Sequence, residues 1–404
     1  MRSGLFKINR LNLALYSSVL LVFRPQLLPN NVWIVIEAAL LIYLTFFVFT
    51  KLKLSEIINV SLICFTGIVA LSAVNCFMGR IPINQMVKCI FFYIGFTYLY
   101  DVMMIYNKRH ITSQMIDCFI RMLVVYCVFN LASIIILGTE EKYNNVLYFF
   151  GNKFRVSYYL LLLLGLIYCK YYKRISSKRE YKWMFLIGIF AGIMYVYLIG
   201  CSTGSVALFF FFVMVLLQNF RHPLMPRPGI IITCMILSGL IVFALTFLLN
   251  LDVVKRIITD ILHEDLTMTG RMNIYSMYLL PLIGDSPIIG YGYGNNAMST
   301  RSYWYANGQN GLFDYVINNG FVGLILFLVL IYICVKRSNY TRNKYGLYVI
   351  LYSIILIAVV EVTFGMFLLG AAFLIRWYVP ENDCVLKQNV KSVDSKQTSV
   401  FCDN

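Results

Sequence analysis

Charged residues are scarce in this chain of 404 residues: they make up 13% of it, while 60% of the residues are hydrophobic. A soluble domain carries roughly 25% charged and about 45–50% apolar residues. The shortage of charge therefore excludes an ordinary soluble protein. The apolar residues are arranged in runs of about 14 to 24, the length of membrane-spanning helices, and not in the period-two alternation of a transmembrane barrel.

Metal ligands and redox motifs are also few. The three histidines, His110, His222 and His263, lie far apart in the chain, so the sequence predicts no metal site and no cofactor. The 11 cysteines form no CxxC pair. Most of them lie in apolar runs, where cysteine behaves as a small apolar residue. No small-residue cleavage site follows the first apolar run, so we expect this run to be a membrane helix and not a cleaved signal peptide.

Acidic residues are outnumbered, with 18 Asp and Glu against 34 Lys and Arg and a formal net charge of +16. In a soluble protein this excess would suggest binding to nucleic acid. Here no basic stripe with interleaved aromatic residues stands clear of the apolar runs. We therefore predict no nucleic-acid partner, and we attribute the charge to short loops on one side of a membrane.

The apolar runs predict an all-α polytopic membrane protein with about twelve (roughly 10–12) transmembrane helices. They cover approximately residues 11–23, 32–50, 57–77, 86–105, 116–137, 156–169, 183–199, 206–217, 230–249, 321–335, 345–360 and 364–378. The predicted organisation has four parts. Residues 1–250 form nine helices with short loops, residues 251–320 form one large outward-facing loop with short helices, residues 321–380 form the last membrane helices, and residues 381–404 form a polar cytoplasmic tail that we expect to be disordered.

The basic residues predict the orientation of the helices. If the N-terminus is cytoplasmic, alternation of twelve helices places most of the 34 basic residues inside, as expected for a cytoplasmic membrane protein with both termini in the cytoplasm. The basic residues that this orientation places outside need an explanation, because the positive-inside rule disfavours them there. Binding of an anion such as a phosphate is one, and snorkelling of long side chains to the interface is the other. These residues are Arg24, Arg80, Lys88, Lys142, Lys153, Arg155, Lys255, Arg256, Arg271 and Arg301.

Arg271 lies in the outer loop between two predicted helices. The first, residues 252–265, has the spacing of a helix lying on the membrane surface, and Arg271 opens the second, residues 272–283. An arginine beside the free N–H groups of a helix start suits a diphosphate. The alternative is a structural arginine paired with Asp265 or Asp285. Two membrane acids, Glu37 and Glu361, are expected either to pair with an outer arginine or to line the lipid path.

Two further motifs follow in the outer loop. The three alternating glycines of residues 290–294 indicate turns and close backbone approach, but not a nucleotide-binding loop, because no strand precedes them. Asn310, Asp314 and Asn318 are spaced to line one helical face, which is where a sugar hydroxyl could be held. The alternative is an amphipathic helix whose polar face meets water.

The order of these motifs resembles that of the O-antigen ligase and O-antigen polymerase superfamily of polytopic membrane glycosyltransferases. The resemblance runs over Thr269-Gly270-Arg271 and residues 287–294, 309–315 and 319–324. Elsewhere only the layout of segments is similar. The resemblance implies glycosyl transfer between lipid-diphosphate-linked sugars on the outer face of the membrane, and it implies that Arg271 and Arg155 bind the diphosphate.

The ligase branch of this superfamily carries a His-Asn pair where this chain has Gln309-Asn310. Glutamine cannot act as a general base, which favours the polymerase branch. A polymerase joins polyprenyl-diphosphate-linked oligosaccharides: a hydroxyl of one unit attacks the anomeric carbon of the other, arginines stabilise the diphosphate as it leaves, and no metal is required. The predicted catalytic residues are Arg271 and Asp314, with Glu264, Asp265 and Asp285 as alternative bases, and the predicted substrate-binding residues are Arg155, Arg301, Gln309 and Asn310.

The expected partners are the lipid-linked oligosaccharides and membrane lipid. A flippase and a chain-length regulator are further candidate partners. The alternatives are a ligase-type glycan transferase and a lipid-linked sugar flippase or transporter. A transporter predicts two similar halves, and no repeat is visible. A peptidoglycan polymerase ranks third, because the Gly-Pro and Gln-Pro stretches of that family are not found. A receptor or structural protein would leave the outer arginines unexplained.

Overall fold

The computed structural model describes residues 9–138, 146–219, 226–248, 251–256, 259–260, 274–302 and 307–380. These residues form helices and connecting loops with no β-strand among them, which confirms the all-α prediction. A π-helical stretch, Ile274–Leu279, leads into α12. The α-helices are α1 (Arg10–Val22), α2 (Asn30–Lys51), α3 (Leu54–Ile57), α4 (Val60–Phe77), α5 (Ile83–Lys108), α6 (Thr112–Leu137), α7 (Lys153–Ser177), α8 (Arg179–Leu198), α9 (Ser202–Leu216), α10 (Pro228–Leu248), α11 (Asp252–Arg256), α12 (Leu280–Asp285), α13 (Ala297–Ser302), α14 (Gly311–Lys336), α15 (Tyr345–Ile357) and α16 (Met366–Trp377).

Seven helices of the described chain are long and apolar enough to cross a membrane: α2, α4, α5, α6, α7, α8 and α14. Helices α1, α9 and α16 are shorter and also apolar, and Pro228–Val242 of α10 forms a further short apolar helix. Some helices extend well beyond their apolar runs. The run at residues 156–169 lies within α7, which has 25 residues, because the lysines, arginines and tyrosines that follow continue the helix. Lys and Arg have good helix propensity, and their long side chains reach the interface.

Consecutive helices pack side by side, as in α4 with α5, α6 with α7 and α8 with α9. Helices α5 and α7 lie mostly inside the bundle, whereas α2, α6 and α8 are peripheral. The peripheral helices expose large apolar side chains such as Phe46, Ile135 and Leu198. An apolar outer surface of this kind is suited to contact with lipid tails rather than with water.

Helix α14 is interrupted at Gly320, which has φ 66° and ψ −178°. A helix would join Phe321 N to Ile317 O and Val322 N to Asn318 O. Instead, residues 287–292 exchange hydrogen bonds with the broken turn: Tyr291 N and Gly292 N donate to Ile317 O and Asn318 O, and Phe321 N and Val322 N donate to Pro287 O and Ile288 O. The break is tolerated because these neighbours satisfy the freed backbone groups.

We call residues 286–294 the glycine loop. It contacts α4, since Asn75 Nδ2 donates to Ile289 O at 3.2 Å. Arg80, one of the predicted outward cations, fixes the same loop: its Nη1 donates to Ser286 Oγ at 2.8 Å and to Gly290 O at 3.1 Å. The glycine loop is therefore held between α4 and α14, and Arg80 is used in holding it.

Candidate functional site

A cavity of about 730 Å³ lies where α1 ends and where α5, α7 and α16 begin. We call it the cationic cavity because Arg24, Lys88 and Arg155 line it. All three are cations that the positive-inside rule leaves unexplained. Gln309, one of the predicted substrate-binding residues, also lines this cavity.

The Arg155 guanidinium is positioned by its neighbours in sequence and by the loop that follows α1. Asn152 caps α7 by accepting from Arg155 N at 3.2 Å. The Gln26 side-chain oxygen accepts from both terminal nitrogens of Arg155, at 2.5 and 3.1 Å, in the amide orientation that satisfies both ends of Gln26. Gly151 leaves room for the side chain: its φ is 136°, and a Cβ there would lie 2.4 Å from Arg155 Cδ. Arg155 is thus held with its charged end at the cavity wall.

Two buried carboxylates, Glu37 from α2 and Glu361 before α16, line the same cavity. Ionisable groups within membrane proteins are retained where they face one another or a water-filled space. Three cations and two carboxylates give the cavity both the charge to hold an anion and groups able to accept a proton.

Tyr293 of the glycine loop forms part of the wall. Ser72 Oγ accepts from Tyr293 N at 3.2 Å, and the Tyr293 ring lies 5.6 Å from that of Phe92. Burial raises the pKa of Tyr293 to about 12. Its hydroxyl is therefore neutral at physiological pH and acts as a hydrogen-bonding group, not as a base.

A second cavity of about 430 Å³ adjoins the first. We call it the amide cavity, because Gln85, Asn295, Asn307, Asn318 and Asn319 line it. The two cavities share wall residues, namely Lys88, Phe92, Tyr293, Asn307, Phe364 and Gly365.

Asp314, a predicted catalytic residue, faces the amide cavity and not the cationic one. Its carboxylate accepts from Gly308 N and from Asn318 Nδ2, both at 2.9 Å. The predicted polar face therefore brings Asp314 and Asn318 together. Burial opposes ionisation of this carboxyl, and the two donors offset part of that cost.

Asn310 does not share that face. It is fully buried, caps α14 by accepting from Phe313 N at 3.1 Å, and donates to Ser238 O and Val359 O at 3.1 and 3.0 Å. A capping residue precedes the helix and its side chain turns back toward the first-turn N–H groups. Asn310 thus lies at the cap of the helix and not within it, and it lines neither cavity; its role in substrate binding stays a prediction.

Of the other two predicted arginines, the structure describes only Arg301. Arg301 lies on α13 and pairs with Asp285 at 2.5 Å, with both side chains largely exposed, and it lines neither cavity. Arg271 lies outside the described residues, as do Glu264 and Asp265. Asp285, proposed as a partner for Arg271 or as a base, pairs with Arg301 in the described part of the chain.

The sequence reasoning missed Gln26 and Tyr293. Gln26 follows Arg24 and Pro25, and this local sequence predicts only a turn. The position of Gln26 depends on a loop about 120 residues further along the chain, because Gln26 N donates to Phe149 O at 2.8 Å. Tyr293 stands among the alternating glycines. The sequence predicts turns for these residues, but not which helices the loop packs against.

Comparisons of the chain with protein-family models, with curated proteins and with solved structures give no match. In the described part of the chain, no three His, Cys, Asp or Glu side chains are grouped so that they could hold a metal ion.

Proposed function

We propose that this protein is a membrane glycosyltransferase that joins polyprenyl-diphosphate-linked oligosaccharides, a repeat-unit polymerase for O-antigen, capsule or a similar polysaccharide. The observation that carries the proposal is the convergence of Arg24, Lys88 and Arg155 on one cavity at an end of the bundle. Guanidinium and ammonium groups match the oxygens of a diphosphate, and Arg155 presents two terminal nitrogens in a fixed plane.

In the proposed topology, this cavity lies at the outer face of the cytoplasmic membrane. Helix α7 begins at the cavity with Arg155 and ends near Arg174, and α14 begins near Gln309 and ends at Lys336. The basic ends opposite the cavity then face the cytoplasm. With the shorter helices counted, the chain crosses the membrane about twelve times, both termini are cytoplasmic, and residues 251–320 form the outer loop.

The proposed reaction breaks one C–O bond and forms another. A hydroxyl oxygen of the acceptor unit attacks the anomeric carbon of the donor, and the bond from that carbon to the diphosphate breaks. The electron pair leaves with the diphosphate, whose charge Arg24, Lys88 and Arg155 stabilise. The proton of the hydroxyl passes to a carboxylate, for which Asp314 at the neighbouring cavity and Glu361 within the cationic cavity are placed.

Complementation of a deletion strain tests the proposal. We expect the deletion to leave single repeat units on the cell surface and wild-type protein to restore long chains, as read on a length-resolving gel. Arg155→Ala should not restore them at normal expression. Arg155→Lys should restore them only in part, because an ammonium cannot match two oxygens in one plane.

Lys153→Ala is the matched control. Lys153 is a cation two residues earlier in α7 that lines neither cavity, so this variant should restore long chains. Long chains in the deletion strain itself would contradict the proposed polymerase. Loss of all surface glycan on deletion would favour a flippase or a ligase-type transferase instead.

A further inference from the structure

We infer that the amide cavity binds the sugar ring that is joined to the diphosphate, with the diphosphate itself in the cationic cavity. This inference rests on the proposed function and names the place of the carbohydrate within it. The chemical class of the ligand is a neutral, polyhydroxylated ring.

The lining of the amide cavity matches this class. Five amide side chains, Gln85, Asn295, Asn307, Asn318 and Asn319, face it. An amide both donates and accepts hydrogen bonds, as a sugar hydroxyl does. The cavity volume of about 430 Å³ falls within the range of roughly 300–1,000 Å³ that small-molecule sites occupy.

Asn319 gives an independent indication of a ligand. Its side chain is 3% exposed, and its Nδ2 donates to Tyr315 O at 3.3 Å. Its Oδ1 is buried and accepts no hydrogen bond from the residues that the structure describes. A buried acceptor of this kind carries a desolvation cost unless a donor reaches it. A sugar hydroxyl in the amide cavity would supply that donor.

Two of the remaining amides, Asn295 and Asn318, are held in a fixed chain of hydrogen bonds. Asn295 Nδ2 donates to Gly292 O and to Asn318 Oδ1, both at 2.7 Å. Asn318 Nδ2 in turn donates to Asp314 Oδ2 at 2.9 Å. This chain links the glycine loop to the first half of α14, so the polar groups are positioned before a ligand arrives.

Aromatic rings complete the cavity. Phe92, Tyr293 and Phe364 line it together with Tyr93. Rings of this size offer apolar faces to the C–H groups of a pyranose. One cation, Lys88, and one carboxylate, Asp314, line this cavity, so its lining favours neither a free anion nor a free cation. An uncharged ring is therefore the better occupant.

The shared wall sets the order of the two groups. Lys88, Tyr293 and Asn307 line both cavities. A ligand that spans them carries its negative charge beside Arg24 and Arg155 and its hydroxyls beside the amides. The bond between sugar and diphosphate then lies at the common wall, where attack on the anomeric carbon takes place.

Binding measurements on the full-length protein in lipid nanodiscs test this inference. Two probes are compared: undecaprenyl diphosphate, and the lipid-linked oligosaccharide extracted from cells in which the gene is deleted. The variants are Asn319→Leu and Gln85→Ala. Gln85 is a half-buried residue in the first turn of α5, so its truncation keeps the test valid if Asn319→Leu fails to fold. Asn84→Ala is the control, since the exposed Asn84 lines neither cavity.

We expect the wild-type protein to bind the oligosaccharide-bearing lipid at least ~10-fold more tightly than undecaprenyl diphosphate, which corresponds to one or two good hydrogen bonds. Asn319→Leu and Gln85→Ala should reduce this ratio and leave the Kd of undecaprenyl diphosphate unchanged. Asn84→Ala should behave as wild type. Equal binding of the two lipids by the wild type, or an unchanged ratio in both variants, overturns the inference.

Failure of the proposed function would give a different pattern. In that case neither lipid binds, or Arg155→Ala leaves the binding of both unchanged, or the extract contains no lipid-linked oligosaccharide. Each of these outcomes also removes the basis of the inference. If the wild-type protein binds both lipids with the same Kd and Arg155→Ala weakens the binding of both, the inference is wrong but the proposed function stands.

Discussion

Gly290 and Gly320 lie backbone against backbone. A Cβ on Gly290 would lie 2.5 Å from Gly320 N, and a Cβ on Gly320 would lie 2.1 Å from Ile288 O. Both residues have positive φ, 64° and 66°. This approach allows the glycine loop to bond to the broken turn of α14 and brings Tyr293 to both cavities. The helix break thus positions the site.

Gly320→Ala should destabilise the protein strongly. The backbone strain of a side chain at this φ costs about 1–3 kcal/mol, and the clash with Ile288 O adds to it. We expect a clear fall in the thermal unfolding midpoint in detergent. Gly188→Ala is the control, because a Cβ at this position in α8 would meet nothing within 4 Å, and alanine is favoured in a helix. Equal midpoints for the two variants would contradict the role given to the Gly320 break.

Gly151→Ala should impair diphosphate binding. A Cβ at Gly151 would displace the Arg155 side chain, which lies 2.4 Å away, and so misplace the guanidinium. Gly138→Ala is the matched control: Gly138 also has positive φ, 80°, but a Cβ there would meet nothing. Both variants should lose some stability to backbone strain. Only Gly151→Ala should weaken undecaprenyl diphosphate binding, by roughly tenfold or more. Equal affinities in the two variants would contradict the placement of Arg155.

Tyr293→Phe should change substrate binding by the same factor from pH 6 to pH 9. Burial raises the pKa of Tyr293 to about 12, so the neutral phenol persists throughout this range. The sign follows from the raised pKa: the neutral form contributes fully below the ordinary tyrosine pKa of about 10 and is lost only as the pH rises through about 12. Binding measured at three pH values checks this. An effect of Tyr293→Phe that disappears by pH 9 would indicate a titrating phenol.

The sequence predicts the class of this fold and part of its site. Apolar run length identifies the helices, and the cations that we predict to face outward include Arg24, Lys88 and Arg155, which line one cavity. The same rule also selects Arg80, whose guanidinium instead holds the glycine loop. The charge of a residue and its predicted side of the membrane can both be derived from the nearby sequence. Which cations share a cavity depends on helix packing, and no sequence spacing encodes it.

Other features could not be predicted because their partners are distant in the chain. The break at Gly320 looks like an ordinary Asn-Gly step within an apolar helix, and it is stable only because residues 287–292 supply hydrogen bonds. The periodicity of residues 310, 314 and 318 is helical, yet the helix begins at Gly311. Periodicity identifies a helical face well and a helix end poorly.

Arg301→Ala should leave chain length unchanged. Arg301 pairs with Asp285 on the surface, and exposed ion pairs contribute only about 0–1 kcal/mol. Complementation of the deletion strain with Arg301→Ala, beside Arg155→Ala, separates the two arginines. We expect long chains with the first variant and short ones with the second. Shortened chains in Arg301→Ala at normal expression would restore Arg301 as a substrate-binding residue.

Asn310→Ala should act on stability and not on substrate recognition. The change removes the cap of α14 and leaves Ser238 O and Val359 O without their Nδ2 donor. Loss of a cap costs about 0.5–2 kcal/mol, and unsatisfied buried groups cost about 1–3 kcal/mol each. Asn310→Asp keeps the capping oxygen, and its neutral carboxyl has one O–H donor for the two carbonyls that Nδ2 serves, so the unfolding midpoint of this variant at a pH where the carboxyl is protonated should lie between those of Asn310→Ala and the wild type. Folded Asn310→Ala protein, isolated at low temperature, should bind undecaprenyl diphosphate with the wild-type Kd. A Kd raised tenfold with an unchanged midpoint would instead assign Asn310 to the substrate.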